Sequence, residues 1–495
     1  MQMEATINYQ SLYEDLQLKY NTVVHELEQL KKMIYGSKHE RFIASNNNSL
    51  QLSLAIQAQA IAQCNIASAQ KIEYTRVKKE VNQNPIVHPG RTKLPEHLQR
   101  REQIIEPTGD ITGLKKIGEE ITEELEYESG KLFVNKIVRP KYAKTNSEGI
   151  IIAPMIDRPL PKAIVGAGLL AHIIIDKFVD HKPLYRQVEA FKREGINLSH
   201  STVGDWITAG CTLITPLYEA HKRRTLQSDY LHVDETPQPV LDKDKKGETH
   251  RGYFWAYHNS IERMVLFDYQ PGRGREGPKE ILKNFKGYLQ TDGYVGYDLF
   301  KQKEGITVLH CMAHARRYFY DALQNDKDRA EYALQEFGKL YDIERKAKQQ
   351  QLNADEVLQL RQAEALPLLQ HLGKWMKEQY VNVLPKSPIG KALGYSIERW
   401  NELMIYTANA KLNIDNNPVE NSIRPVALGR KNYLFAGSHE AAQRRAMLYS
   451  LLGTCKLHNI NPFTWLKAIL QRIATHPINK IEELLPQNWK PLANG

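Results

Sequence analysis

Apolar residues recur every seven positions at the start of the chain, at Tyr9, Leu16, Val23 and Leu30, interleaved with Tyr13, Tyr20, Leu27 and Ile34. This is the a/d seam of a coiled coil, so residues 1–43 are expected to form a helix that pairs with another chain or packs on its own domain. Asn and Gln clusters and the basic stretch "VNQNPIVHPGRTKLPEHLQRRE" follow, and residues 44–106 read as a linker. Short alternating runs such as "KLFVNKIVRPKYAK" predict a small β module over 107–160. From 161 to 225 the period becomes helical. There "REGINLSHSTVGDWITAG" reads as a turn, a Ser cap and a short amphipathic helix through Val203, Trp206 and Ile207, either a helix-turn-helix-like DNA-binding region or an ordinary helical hairpin.

The pattern then switches to period two. "YLHVDETPQPVLD", "GYFWAYHN", "RMVLFDYQ", "GYLQTDGY" and "GITVLHCM" predict five strands, with a helix "GPKEILKNFK" between the third and fourth. These form the first part of a core over 226–325. A Lys-, Glu- and Gln-rich helical insertion is expected over 326–408, a second core part over 409–455, and C-terminal helices over 456–495. Three strands, two helix-linked strands and flanking helices predict a multidomain α/β protein built on a ribonuclease H-like sheet.

Composition narrows the partners. Over 495 residues, 42% hydrophobic and 25% charged content fit a folded globular chain, which excludes disordered and fibrous classes. Lys plus Arg total 67 against 57 Asp plus Glu, a net charge of +10 that favours a polyanion such as nucleic acid. Cys64, Cys211, Cys311 and Cys455 are widely spaced with no C-x-x-C pair, so neither a disulfide framework nor a zinc ribbon is expected. No leader or membrane-spanning window is visible, and a reducing, cytoplasmic setting is expected.

The candidate chemistry lies in the carboxylates at strand ends. Asp234 in "HVDET" and Asp292 in "LQTDGY" each follow an apolar strand and stand 58 residues apart. Strand ends along one edge of an open α/β sheet form a ligand crevice, where the two can meet. Converging carboxylates repel unless a cation lies between them, and all-oxygen donors suit Mg²⁺ or Mn²⁺. A third acid is Glu420 in "DNNPVENSIRP", where Pro418 fits the first helical position with Asn417 as cap. Glu420 borders the apolar arc of Val419, Ile423 and Val426; a capping role is the plain alternative, and Asp415 is a rival at the same place. Arg424, Arg430, Lys431, Arg444 and Arg445 follow, with Arg316 and Arg317 upstream, as candidate phosphate contacts. His310, Cys311 and His314 have spacings that could hold a metal, though a structural role is expected for want of further paired ligands.

"HVDET", "TDGYVGY", "HCMAHARRYF" and above all "DNNPVENSIRPVALGRKNYLFAGSHEAA" resemble the DDE transposases of the insertion-sequence 66 (IS66) family, from about residue 160 to 480. "IYGSKHERF" at 34–42 and "KIGEEITEELEY" in the β module match more weakly. The resemblance implies that Asp234, Asp292 and Glu420 are a catalytic triad holding two Mg²⁺ or Mn²⁺ ions. It also implies cleavage and joining of double-stranded DNA at transposon ends and in target DNA, and a bacterial, nucleoid-associated location. One departure is that the β module lacks the cysteine pairs usual in such transposases, so it is expected to fold without zinc. The alternative functions are a nuclease or resolvase of the same fold, and a DNA-binding regulator that has lost catalysis.

Overall fold

The computed structural model describes residues 132–135, 141–143, 150–152, 157–161, 163–242 and 247–491, all within one compact unit from Ser129 to Gly495. The heptad helix and the linker lie outside the described residues. Of the β module, a two-stranded antiparallel pair is described: β1 (Lys141–Ala143) and β2 (Ile150–Ile152), with Tyr142 opposite Ile151.

The centre is a five-stranded mixed sheet in the order β5-β4-β3-β6-β7. Its strands are β3 (Tyr230–Leu241), β4 (Thr249–Asn259), β5 (Met264–Gln270), β6 (Gly287–Thr291) and β7 (Ile306–His310), each one a run that the alternating pattern predicts. Strands β3, β4 and β5 are antiparallel neighbours, whereas β6 and β7 run parallel to β3. Pro237 and Pro239 are unexpected in a central strand, because proline cannot donate to a ladder. The pairing resolves this. β6 accompanies β3 only as far as His232, and beyond it the backbone groups of β3's odd-numbered residues point away from β4, toward a side with no strand. There Ala436 donates to the carbonyl of Pro239 and accepts from the N–H of Leu241, so neither proline is asked for a hydrogen bond.

Alternate residues serve the two faces. On one, Leu231, Val233, Trp255, Tyr257, Leu266 and Leu289 pack with Leu282, Phe285, Tyr297 and Phe300, which come from the short helix α4 (Glu276–Ile281) and its surroundings and from a 3₁₀ turn at Val295–Phe300. On the other, Phe254, Ala256, Val265 and Phe267 share a core with α1 (Ala167–Phe178), α2 (Leu184–Arg193) and α3 (His200–Leu226). The same core takes in α11 (Asn417–Tyr433), α12 (His439–Leu457) and α13 (Pro462–Arg472).

Helix α3 departs from expectation. Ser199 caps it, accepting from the N–H of Thr202 at 3.0 Å. The helix is not short, however: it runs 27 residues through Pro216, and Val203, Trp206 and Ile207 are buried in the shared core. The helices of 161–225 therefore form a wall of the sheet and share its core. They also protect the edge strand β5: Tyr218 Oη donates to the carbonyl of Phe267, and His221 Nε2 lies 2.9 Å from that of Val265. Ser450 and Thr454, one turn apart on α12, accept the N–H groups of Phe267 and Val265 at 2.7 and 3.1 Å. An edge whose backbone groups are occupied by side chains is closed to further strand pairing.

The insertion between β7 and α11 is helical: α5 (Met312–Asp321), α6 (Lys327–Gln349), α7 (Ala354–Leu360), a π turn at Arg361–Ala365, α8 (Leu366–Tyr380), α9 (Pro388–Glu398) and α10 (Trp400–Met404). Its core joins the sheet at Tyr230 and Leu309. Its far end is fastened by Arg361, whose buried guanidinium donates to both oxygens of Glu344 at 2.8 and 2.7 Å and to the carbonyls of Tyr406, Asn409 and Leu412. Those carbonyls belong to the segment leading into α11, so one side chain fastens the approach to that helix. Losing one partner of a buried ion pair strands the other, which costs roughly 3–5 kcal/mol. Arg361→Met should lower stability to chemical denaturation by about that much, whereas Arg345→Ala, which removes an exposed pair with Asp342, should cost less than about 1 kcal/mol.

Candidate active site

The two aspartates lie in and just beyond neighbouring strands. In the parallel pair β3/β6, His232 stands opposite Gln290. Asp234 follows that pair by two residues within β3, Asp292 follows it by two residues in the turn after β6, and the Asp292 charge raises the pKa of Asp234. A step of two within β3 keeps Asp234 on the face that His232 presents to the start of α11. Here β3 and β6 part, because β6 ends at Thr291 and β3 continues. Asp292 Oδ1 accepts the N–H of Tyr294 at 2.9 Å, and Tyr395 Oη donates to the Asp292 carbonyl at 2.8 Å, which ties this turn to the insertion. Gly293 has φ +87°, and a Cβ there would meet Tyr395 Oη at 2.8 Å, so the turn requires glycine.

Glu420 comes from α11, which lies across β3 and β4. A buried polar network sets the start of this helix. His232 Nδ1 lies 3.0 Å from Asn416 Oδ1, and Asn416 Nδ2 donates to the carbonyl of Val233, so that amide must accept from a protonated Nδ1. Asn413 Nδ2 is then the donor to the unprotonated Nε2 at 3.1 Å. Burial, then His258 nearby, hold His232 neutral and push its pKa down to about 3. The cap residue of α11 is Asn416, one position earlier than the sequence suggests. Val419, Ile423 and Val426 are buried, and Glu420 borders them, half-buried. Asp415 is turned elsewhere: its carboxylate accepts the N–H of Asn417 at 3.1 Å and the Asn417 side-chain amide at 2.5 Å.

The electrostatics are those of crowded acids. Asp234 is raised well above the ordinary aspartate range by burial first, then by Asp292, Glu235 and Glu420, against one bond from the Glu235 N–H at 2.7 Å. Glu235 is not singled out by sequence reasoning. As the next residue of β3 it faces the opposite side of the sheet, where Arg273 donates to it at 2.8 and 2.5 Å and Tyr297 at 2.8 Å. Burial and Asp292 raise its pKa, offset by those two donors. Its adjacency to Asp234 is visible in sequence, but its partner 38 residues away is not.

A third grouping adjoins Glu420. Donor atoms of Cys311, His314 and Glu420 all lie within 4.8 Å of one another. His310 does not join them: its Nδ1 lies 3.1 Å from Thr291 Oγ1, and burial lowers its pKa to about 4.

The candidate cations divide by burial. Arg424, Lys431 and Arg317 are exposed, and Arg444 and Arg316 are half-buried. Arg445 corrects the expectation of a DNA contact. It is buried at 7% exposure, donates to the carbonyl of Phe435 at 2.7 Å and lies 4.9 Å from the ring centre of Tyr433, so its charge is spent inside the fold. Arg430 is half-buried and donates to Thr236 Oγ1 at 2.7 Å and to the carbonyl of Pro237. It fastens α11 to β3 and does not project into solvent.

Comparison with known proteins gives a consistent affiliation. The model described as "Transposase IS66 family" matches residues 162–444, "IS66 C-terminal element" matches 450–487, and "Transposase C of IS166 homeodomain" matches 24–102, a stretch outside the described residues. Among relatives from Sinorhizobium fredii (strain NBRC 101917 / NGR234), "Uncharacterized protein y4hP" is 30% identical, covering 94% of this chain and 88% of its own. "Uncharacterized protein y4qI" is 30% identical over 95% and 89%, and "Uncharacterized protein y4jD" 31% identical over 80% and 81%. No solved structure matches. Among the described residues no helix is long and apolar enough to cross a membrane.

The crowded acids predict a pH effect. An acid whose folded pKa is raised favours folding while protonated. The contribution of Asp234 is therefore fully present below the ordinary aspartate value of 3.8, and it is lost as pH rises through the higher folded value. With chelator present near pH 8, Asp234→Asn should melt higher than wild type by a few degrees, roughly the effect of 1 kcal/mol in a large domain. The difference should vanish near pH 3, and equal melting curves at both pH values would remove the electrostatic account.

Proposed function

Because the chain belongs to the IS66 transposase family, we propose that it cuts and joins phosphodiester bonds at transposon ends, using Asp234, Asp292 and Glu420 as its catalytic carboxylates. The observation that carries this reading is that Asp292 and, least of the causes, Glu420 both raise the pKa of Asp234, although the three come from within β3, which does not end at Asp234 as the sequence suggests, from the turn after β6 and from α11. Strand-end and capping roles taken one at a time give no reason for such a meeting. The strand order β5-β4-β3-β6-β7, with three antiparallel strands and two parallel additions beside β3, supports a ribonuclease H-like core.

Three half-buried carboxylates with oxygen donors fit hard divalent cations such as Mg²⁺ or Mn²⁺. Asp234, Asp292 and Glu420 would hold these ions. When bound, such a pair stabilises charge on the attacking and leaving oxygens of an in-line displacement. The protein's own part is placement. The pairing of β3 with β6 holds the two strands that lead to Asp234 and Asp292, and the His232–Asn416 network fixes the start of the Glu420 helix. The Glu235–Arg273 pair braces the far side of β3, with the guanidinium of Arg273 lying 4.0 Å from the ring centre of Tyr294. Exposed Arg317, Arg424 and Lys431 lie on the same helices as His314 and Glu420 and are assigned to the DNA backbone. The homeodomain-described match over 24–102 supports a separate DNA-reading element there.

The test is cleavage of transposon-end DNA by purified protein with Mg²⁺. Asp234→Asn, Asp292→Asn and Glu420→Gln should each slow cleavage by roughly a thousandfold or more, about 4 kcal/mol of barrier, while still binding DNA ends. Wild-type rates in any one of the three would take that residue out of the site. Lys431→Ala should act differently, weakening binding uniformly across sequences and reducing the slope of log affinity against log salt by about one.

A further inference from the structure

Cys311, His314 and Glu420 form a group of three donors of different chemistry, brought together from two helices. We propose that they are a binding site for a thiophilic divalent cation of the zinc type, separate in its ligand set from the hard-cation centre but sharing Glu420 with it. These three side chains define the site whether or not the catalytic reading of Glu420 holds.

The geometry is favourable on four counts. The three donor atoms lie within 4.8 Å of one another, and a tetrahedral ion with bonds of about 2.0–2.3 Å needs its donors roughly 3.3–3.8 Å apart, a distance that side-chain rotation can close. His314 Nδ1 and Glu420 Oε1 face each other at 3.9 Å, and both are buried atoms without a hydrogen-bond partner. Buried polar atoms normally have one, so two orphans aimed at the same point mark a place for a shared ligand. Cys311 is the cap residue of α5, and His314 lies within the first turn, so the C-x-x-H spacing puts both donors on one side of a helix start. The sulfur also accepts the N–H of Asn416 at 3.1 Å, from the residue that caps the Glu420 helix.

That last bond links the site to the fold. The same Asn416 that orients His232 also holds the sulfur, so Cys311 and Glu420 are positioned by a common residue. Burial keeps the sulfur as a thiol in the metal-free protein. A dipositive ion removes that proton to solvent on binding, which makes affinity rise with pH. Three protein donors leave a fourth position open, to be filled by water or by an oxygen of DNA. Magnesium, which avoids sulfur and prefers an octahedron of oxygens, is excluded from this set. Zinc-type and magnesium-type ions would therefore compete for one carboxylate, and filling one site would weaken the other.

Cobalt(II) reports this directly, because a Co–S bond gives a charge-transfer absorption and tetrahedral Co²⁺ gives intense d–d bands. Full-length protein, reduced and freed of metal, should develop both on addition of one equivalent of Co²⁺, and excess Mg²⁺ should raise the Co²⁺ concentration needed without shifting the wavelength of the charge-transfer band. Cys311→Ser should abolish that band, whereas Cys64→Ser and Cys211→Ala should retain it. His314→Gln changes a partly exposed side chain and tests the site where Cys311→Ser fails to fold; it should weaken Co²⁺ binding by at least about tenfold. The proposal is overturned if folded wild-type protein shows no charge-transfer band, if the band survives in Cys311→Ser, or if His314→Gln binds Co²⁺ as tightly as wild type. Because each readout is spectroscopic, a protein that fails to cleave DNA could still pass, and one that cleaves could still fail.

Discussion

Carboxylates repel at short range, and bringing several to one half-buried point costs free energy that the rest of the fold must offset. Burial and three other acids all raise the pKa of Asp234. Its position explains the unusual length of β3, which continues past the end of its parallel partner and carries two prolines on its unpaired side. The strand is clamped where it lies between β4 and β6, and the acid stands immediately beyond that clamp.

The third acid depends on a different device. Glu420 reaches the sheet from far along the chain, since 128 residues separate it from Asp292. What holds its start is a buried network of neutral groups. Asn416 bonds to His232, to the carbonyl of Val233 and to the sulfur of Cys311, while Asn413 closes the other side of the imidazole. Neutral donors and acceptors add no charge to a place already crowded with it, and a histidine held far below its usual pKa serves as a spacer in the network. Arg361 sets the approach to this helix from the insertion, and Tyr395 ties the insertion to the turn at Asp292, so the insertion is part of the site's framework.

The cations show the same economy in reverse. Near the acids, positive charge sits on exposed side chains of α5 and α11, where it can meet a polyanion, while Arg445 and Arg430 are drawn inward to carbonyls and hydroxyls. The charged pair next to Asp234 in sequence, Arg273 with Glu235, lies on the opposite face of the sheet. It gives β3 a counter-charge on the face opposite Asp234.

By itself the sequence determined the parts whose signals are local. Alternation located all five strands, the Ser199 cap located the start of α3, the apolar arc of Val419, Ile423 and Val426 oriented α11, and strand ends drew notice to Asp234 and Asp292. Those features depend on residues a few positions apart, where the period of a strand or helix speaks directly. Only the tertiary structure decided that α3 is a long core helix, because burial of Val203, Trp206 and Ile207 depends on what packs over them. Only it joined Glu235 to Arg273, took Arg445 out of the surface, turned Asp415 toward Asn417 and His310 toward Thr291, and set Cys311 and His314 against Glu420. In nearly every case the deciding partner lies far along the chain or across an interface between elements, and the energy of such a contact, which is what selects one orientation of a charged or polar side chain over another, leaves no periodic trace in the order of the residues.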